Sequence, residues 1–274
     1  MLRFIQIIHD TQCMITTGGM LKKVREMKPL VCQITNNVTI NDCANVTLCT
    51  GGSPVMSNSM ADAIEMVGMA SALVLNIGTV NDDTLGIMIS AGKVANECKI
   101  PVILDPVGVG ATGYRSRAAE GILKEVKVDV IKGNAGEIAS LLGHKGKVRG
   151  VDSDTSSEVS DCRRLARKLG IVIGMSGEID YVSDGKTTYA LHNGKDMMDM
   201  VSGTGCMLSS VIGCFVGANG VSAESVAAAI SSFTVAGELA NDSKGPASYK
   251  INLMDSLFSL VPEYLNSRLK VEEI

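Results

Sequence analysis

The stretch VDVIKGNAGEIASLL, residues 128–142, decides the fold. Val128 to Ile131 is a short apolar run rich in β-branched side chains and reads as a buried strand. It runs into Lys132-Gly133-Asn134, and Ala135 to Leu142 then reads as a helix with the acidic Glu137 in its first turn, where the helix dipole favours negative charge. The same strand, loop, helix order extends in both directions. Leu30 to Thr35 ends at Asn36-Asn37, and Thr39 opens a helical stretch that stops at Gly51-Gly52. Ala72 to Ile77 is closed by Gly78 and followed by a helix from about Asp82 to Cys98; Val102 to Leu104 restarts after Pro101 and ends at Asp105. Downstream, a helix around Glu158 to Leu169 leads into Ile171 to Met175. Strands alternating with helices imply a parallel sheet covered on both faces.

The order breaks at Tyr181 to Asn193, where two β-rich runs flank Asp184-Gly185, a dipeptide suited to a type I′ turn, so one antiparallel edge is expected there. After Gly203-Thr204-Gly205 the chain reads as helical, with Val226 to Leu239 and a final helix around Leu253 to Leu265. Gly143 to Thr155, rich in Gly, Lys and Asp, reads as a surface loop. No internal repeat or Pro-rich linker divides the chain, which implies one α/β domain.

Hydrophobic residues make up 46% and charged residues 20%, enough apolar side chain for a large core and too little charge for a disordered chain. A net charge of −4 and 3% aromatic content, with no Trp, argue against a dedicated nucleic-acid binder. The eight cysteines form no C-x-x-C pair and the three histidines sit in no metal-ligand spacing, so zinc is not expected and most of the thiols read as buried groups of a reducing cytoplasm. The apolar run near the N-terminus is cut by His9 and Asp10, short of a signal peptide. Ser202 to Ala223 is uncharged, but its Gly and Ser content fits a glycine loop and packed helix better than a membrane span.

In an open parallel sheet, ligands bind beyond the carboxyl ends of the strands. Asp105 ends its strand and is followed by Pro-Val-Gly-Val-Gly-Ala-Thr, whose glycines leave backbone open to a phosphate or hydrated metal; a capped turn is the other reading. Glu137 stands after the neighbouring run, and two such carboxylates can hold Mg²⁺ through its water shell. Gly203-Thr204-Gly205-Cys206 precedes an apolar helical run, so its amides either converge on an anion or simply form a packing turn. Cys206 faces that helix dipole, which lowers a thiol from its reference pKa of about 8.5. Asn36 to Thr39 together with Gly52 to Met56 is neutral and polar, and suits a neutral ligand.

Taken in order, Pro29-Leu-Val, Ile34-Thr-Asn, Asn41 to Asn45, Gly52-Ser-Pro-Val-Met56, Asp105 to Thr112, Gly133-Asn-Ala-Gly-Glu137, Gly203-Thr-Gly-Cys206 and Gly245-Pro246 resemble the hydroxyethylthiazole kinases of thiamine salvage, within the ribokinase-like superfamily. The resemblance runs from about Met20 to Leu265. It implies a three-layer α/β/α fold with a mostly parallel sheet, one antiparallel edge and no separate lid. It implies transfer of the ATP γ-phosphate to the primary alcohol of 4-methyl-5-(2-hydroxyethyl)thiazole, with Mg²⁺, in a homotrimer whose sites lie between subunits, the Thr39 to Thr50 helix near the interface. Motif by motif, Met56, Gly203 and Asn36 fall at substrate-binding positions, Lys132 and Ser176 at ATP-binding positions, and Asp105 and Glu137 at metal positions. Lys132 stands where other members have Arg, keeping the charge but losing the bidentate fork. Cys206 stands where the wider superfamily places an Asp base, so it is either a base or a group that positions the alcohol. Residues 1–19 lie outside the resemblance and read as an N-terminal extension, with Met20 an alternative start and residues 20–274 a single kinase domain. A hydroxymethylpyrimidine kinase, a hydrolase with Cys206 as nucleophile, and a silent thiazole sensor are the competing readings.

Overall fold

The computed structural model describes residues 16–144, 155–194 and 196–274. In chain order its strands are β1 (Leu30–Ile34), β2 (Ser53–Met56), β3 (Ala72–Asn76), β4 (Val102–Asp105), β5 (Val130–Asn134), β6 (Val172–Ser176), β7 (Asp180–Ser183), β8 (Thr188–Leu191) and β9 (Val271–Glu273). Its α-helices are α1 (Thr17–Met27), α2 (Ile40–Thr50), α3 (Met60–Val67), α4 (Asp82–Glu97), α5 (Gly113–Glu125), α6 (Ala135–Leu141), α7 (Thr155–Leu169), α8 (Thr204–Asn219), α9 (Ala223–Leu239), α10 (Pro246–Ser259) and α11 (Pro262–Arg268). The strands form one nine-stranded sheet in the order β2-β1-β3-β4-β5-β6-β7-β8-β9. Every ladder from β2 to β6 is parallel, and the three from β6 to β9 are antiparallel.

Successive strand residues point to opposite faces, and the buried pairs Leu73 and Val74, Ile103 and Leu104, Val130 and Ile131, and Val172 and Ile173 divide accordingly between two apolar layers. One layer packs the sheet under α1, α2 and α8 to α11; the other packs it under α3 to α7. α8 lies so close to the sheet that a Cβ on Gly213 would meet methyls of Val31 and Val74 at 2.9 Å. This three-layer arrangement with an antiparallel edge is the one the sequence led us to expect.

Several local features differ from the reading above. The β7–β8 turn centres on Gly185-Lys186: Asp184 N–H donates to Thr187 O, Asp184 Oδ1 accepts from the N–H groups of Lys186 and Thr187, and Gly185 alone has positive φ (88°). A type I′ turn needs two such residues, so one-glycine II′-like geometry replaces it. The final helix is two helices, because Pro262 cannot supply an interior N–H and starts α11 afresh after Leu260 and Val261. α1 begins at Thr17, so Met20 lies inside it; Gly18 N–H donates to Asn266 Oδ1 at 2.8 Å, docking this turn on α11. Residues 1–15 of the extension, and residues 145–154 of the expected surface loop, lie outside the described residues. No helix among the described residues is long and apolar enough to cross a membrane.

β9 closes the antiparallel edge and braces the loop after β8. Asn193 Oδ1 accepts the Lys270 N–H at 2.9 Å, and its Nδ2 donates to Arg268 O and Glu238 Oε1.

Candidate functional site

The parallel strands end on a cavity of about 1040 Å³. Asp105 is the last residue of β4, Lys132 lies within β5, Ser176 ends β6, Glu137 stands in the first turn of α6, and Gly203 to Cys206 open α8; all of them line this one space. Asn36 and Met56 are not among its lining residues. Asn36 touches Cys206 from behind, its Nδ2 donating to Sγ at 3.2 Å, and Met56 ends β2 at the sheet edge.

Asp105 is fully buried. Its Oδ2 accepts from Asn76 Nδ2 at 2.8 Å and Ser209 Oγ at 2.7 Å, while Oδ1 is buried with no partner among the described residues. Burial pushes this carboxyl up to about 6; nearby Lys132 and the two hydrogen bonds hold it down, and Glu137 pushes it further up. Glu137 closes a capping box, accepting Asn134 N–H on Oε2 while its own N–H donates to Asn134 Oδ1, and Oε1 accepts the Gly108 N–H at 2.8 Å. It therefore fastens the Asp105 to Gly110 loop to α6. Arg115 fixes the other side of that loop by donating to Val107 O and Gly78 O.

Lys132 is buried, and among the described residues no carboxylate stands within ion-pairing distance of it. Burial works to lower its ammonium, but Asp105, Glu137, Cys206 and Asp180 outweigh it, and the net shift is upward. Nζ lies 2.8 Å from where a Cβ on Gly205 would stand, so the charge sits against the first turn of α8. No side chain caps that helix, and first-turn N–H groups lack intrahelical partners, so amides and ammonium together form an anion cradle. Gly203, at φ 89°, permits it: a Cβ there would stand 2.3 Å from Thr39 Cγ2.

Three site residues escaped the sequence reading. Asn76 closes its strand as Asp105 does, and the rule that found Asp105 would have found it had the strand not been carried on to Ile77. Asp180 opens β7 instead of closing a strand, so that rule is blind to it; burial drives it up to about 7, with Gly177 N–H and Lys132 opposing and Asp199 assisting. Ser209 lies one turn into α8, where nothing in the sequence separates it from the other small residues of that helix.

The donor set fits a hydrated divalent ion. Asp105 offers an unpartnered carboxylate oxygen, and each Glu137 oxygen holds one N–H, which leaves it acceptor capacity. Among the described residues no three His, Cys, Asp or Glu side chains converge as direct ligands, so an ion here would keep most of its waters, as Mg²⁺ does.

Fold and cavity define the class: a ribokinase-like three-layer α/β/α fold with a polar, charged cavity at the carboxyl ends of its parallel strands. A ribokinase-like superfamily protein from Enterococcus faecalis, 14% identical, shares the fold at a TM-score of 0.62 over 93% of this chain and 99% of that one. The model of the hydroxyethylthiazole kinase family matches residues 21–263. Proteins named hydroxyethylthiazole kinase from Methanocella arvoryzae and a Thermoanaerobacter species are 51% and 46% identical, covering 93% and 92% of this chain and 97% and 98% of theirs. A solved structure of a hydroxyethylthiazole kinase protein from Pyrococcus horikoshii, 37% identical, superposes with a TM-score of 0.89 over 95% of this chain and 100% of that one. The chain belongs to the hydroxyethylthiazole kinase family.

Proposed function

We propose that this protein transfers the γ-phosphoryl group of ATP to the primary alcohol of 4-methyl-5-(2-hydroxyethyl)thiazole, giving the monophosphate, a step of thiamine salvage. Family membership across nearly the whole chain is the observation that carries the reading. The geometry supports the chemistry, because phosphoryl transfer asks for positioning and charge stabilisation more than covalent work. Lys132 and the α8 amides bind and neutralise the transferring group. Ser176 offers a hydroxyl to the nucleotide, and Cys206 stands where the alcohol approaches. Asp105 and Glu137 would hold a bound Mg²⁺ through its water shell, and the ion would supply neutralisation of phosphate charge.

Met56, Gly203 and Asn36 are carried by resemblance to the alcohol side. Met56 lies on edge strand β2, away from the cavity lining, which supports completion of the site by a second subunit. Val38, Leu48 and Ile251 are 68%, 56% and 60% exposed on and beside α2 and on α10, apolar surface of the kind a homotrimer would cover. All seven cysteines among the described residues are free thiols, which supports a reducing compartment, the cytoplasm.

The test is ADP release by the purified protein with ATP and Mg²⁺. Turnover with the thiazole alcohol is expected; turnover of a pyrimidine alcohol without the thiazole alcohol would overturn the substrate. Light scattering tests the trimer, which a fully active monomer would remove.

A further inference from the structure

Behind the cavity wall, two buried amides connect Asp105 to Cys206. Asn76, in register with Asp105 on the neighbouring strand, donates Nδ2–H to Asp105 Oδ2, and its Oδ1 accepts the Gly78 N–H at 2.9 Å and Asn36 Nδ2–H at 3.0 Å. Asn36 Oδ1 accepts three donors from its own turn, the N–H groups of Val38 and Thr39 and the Thr39 hydroxyl, each at 3.1 Å. The second hydrogen of Asn36 Nδ2 goes to Cys206 Sγ at 3.2 Å. A backbone N–H can only donate, so Gly78, Val38 and Thr39 determine which end of each amide is oxygen. The direction of the whole chain follows: Cys206 sulfur is an acceptor from Asn36, and its own proton cannot point there.

The sequence had placed Asn36 against the thiazole alcohol. Both ends of its side-chain amide are occupied by the protein, and the side chain is 4% exposed. We propose that Asn36 is a positioning residue for Cys206: by donating to Sγ, with its other N–H anchored on Asn76, it turns the S–H, or the lone pair of the thiolate, toward the cavity where the acceptor alcohol would lie. The inference rests on the phosphotransfer reading above and deepens it.

The decisive variant is Asn36→Asp. Its Oδ1 still accepts from the Val38 and Thr39 turn, but a carboxylate oxygen replaces the donor and draws the S–H away from the cavity. The first readout needs no substrate: alkylation of Cys206 by iodoacetamide, followed by the mass of its peptide. It is expected to slow about tenfold in Asn36→Asp and about threefold in Asn36→Ala, which removes the donor without adding charge and decides the matter if the Asp variant does not fold. The second readout is kinetic. In Asn36→Asp, kcat is expected to fall about tenfold with KM for ATP within about twofold, and the same change in a Cys206→Ala background to lower kcat by less than about twofold. Unchanged alkylation in the folded variants would overturn the proposal. So would a kcat loss that persists without the thiol and comes with a raised KM for the alcohol, because Asn36 would then act on substrate directly. If the wild-type protein fails to phosphorylate the thiazole alcohol, the functional reading falls while the alkylation result still judges the positioning.

Discussion

Replacing Asp180 by Asn should make the protein more stable, and more so as the pH rises. Asp180 opens β7, is 5% exposed, accepts the Gly177 N–H at 3.0 Å and faces Lys132 and Asp199. Burial raises its carboxyl from the ordinary 3.8 to about 7, so the folded chain holds this proton more tightly than the unfolded chain does. A raised carboxyl contributes no penalty below its unfolded pKa; the penalty grows as pH climbs toward the folded pKa and is constant above it. The rise from 3.8 to about 7 corresponds to about 4 kcal/mol, of which about 2 kcal/mol accrues between about pH 5.5 and about pH 8.5. Asn keeps an oxygen for the Gly177 amide and never ionises, so Asp180→Asn escapes the penalty. The assay is urea unfolding followed by far-UV circular dichroism, since the chain has no Trp, with chelator present and nucleotide absent. The advantage of the variant should widen by about 2 kcal/mol across that pH range. A constant gap, or a variant less stable than wild type at the alkaline end, would refute the assignment of Asp180 as a buried, strained charge.

Cys206→Ala should lower kcat by roughly 10²-fold if proton removal matters, and Cys206→Asp should keep or raise it; mild effects from both in steady-state assays would mean the thiol only positions the alcohol. Lys132→Met should lower kcat by about 10²-fold or more and raise KM for ATP, since it removes the charge seated against the α8 amides, whereas a change within about threefold would remove Lys132 from the phosphate cradle. Gly203→Ala places a methyl against Thr39 at a positive φ and should cost about 1–3 kcal/mol of stability. Thr39→Ser, which deletes the clashing methyl, should recover part of that loss in the melting temperature, and no recovery would mean that backbone strain alone sets it.

The apolar runs of β1, β3, β4, β5 and β6 were legible because parallel strands buried on both faces leave uninterrupted hydrophobic sequence. β2 and β9 were not, since Ser53-Pro54-Val55-Met56 and Val271-Glu272-Glu273 are short and only partly buried or exposed, and nothing in their pattern separates an edge strand from a loop. α3 and α5 escaped for a related reason: Ala, Gly and charged residues make up most of α5, and only Ala118, Ala119 and Ile122 are buried. At the site, the residues that end strands or open helices were visible, because position in a βα unit marks them. Asn76 meets Asp105 across neighbouring strands, Ser209 reaches the same carboxylate from α8, and Asp180 feels the charge of Lys132 on another strand; sequence order carries no trace of these meetings. Asn36 was visible as a residue, but the partners of its two amide hydrogens, Asn76 and Cys206, were not.

The bracing of the β8 loop by β9 has a consequence for biosynthesis. Asn193, on the rim of the cavity, is held by Arg268, the last residue of α11, and by Lys270, which leaves the ribosome after the entire helical layer above it. A nascent chain arrested just short of Leu269 would carry the parallel sheet, the anion cradle and the buried carboxylates, yet present β8 as an open edge ready to pair with another chain. Ribosome-bound chains of increasing length should therefore turn from aggregation-prone to protease-resistant only when residues 269–273 have cleared the exit tunnel. An affinity tag fused directly to Ile274, whose N–H donates to Thr188 O, would press on the same seam.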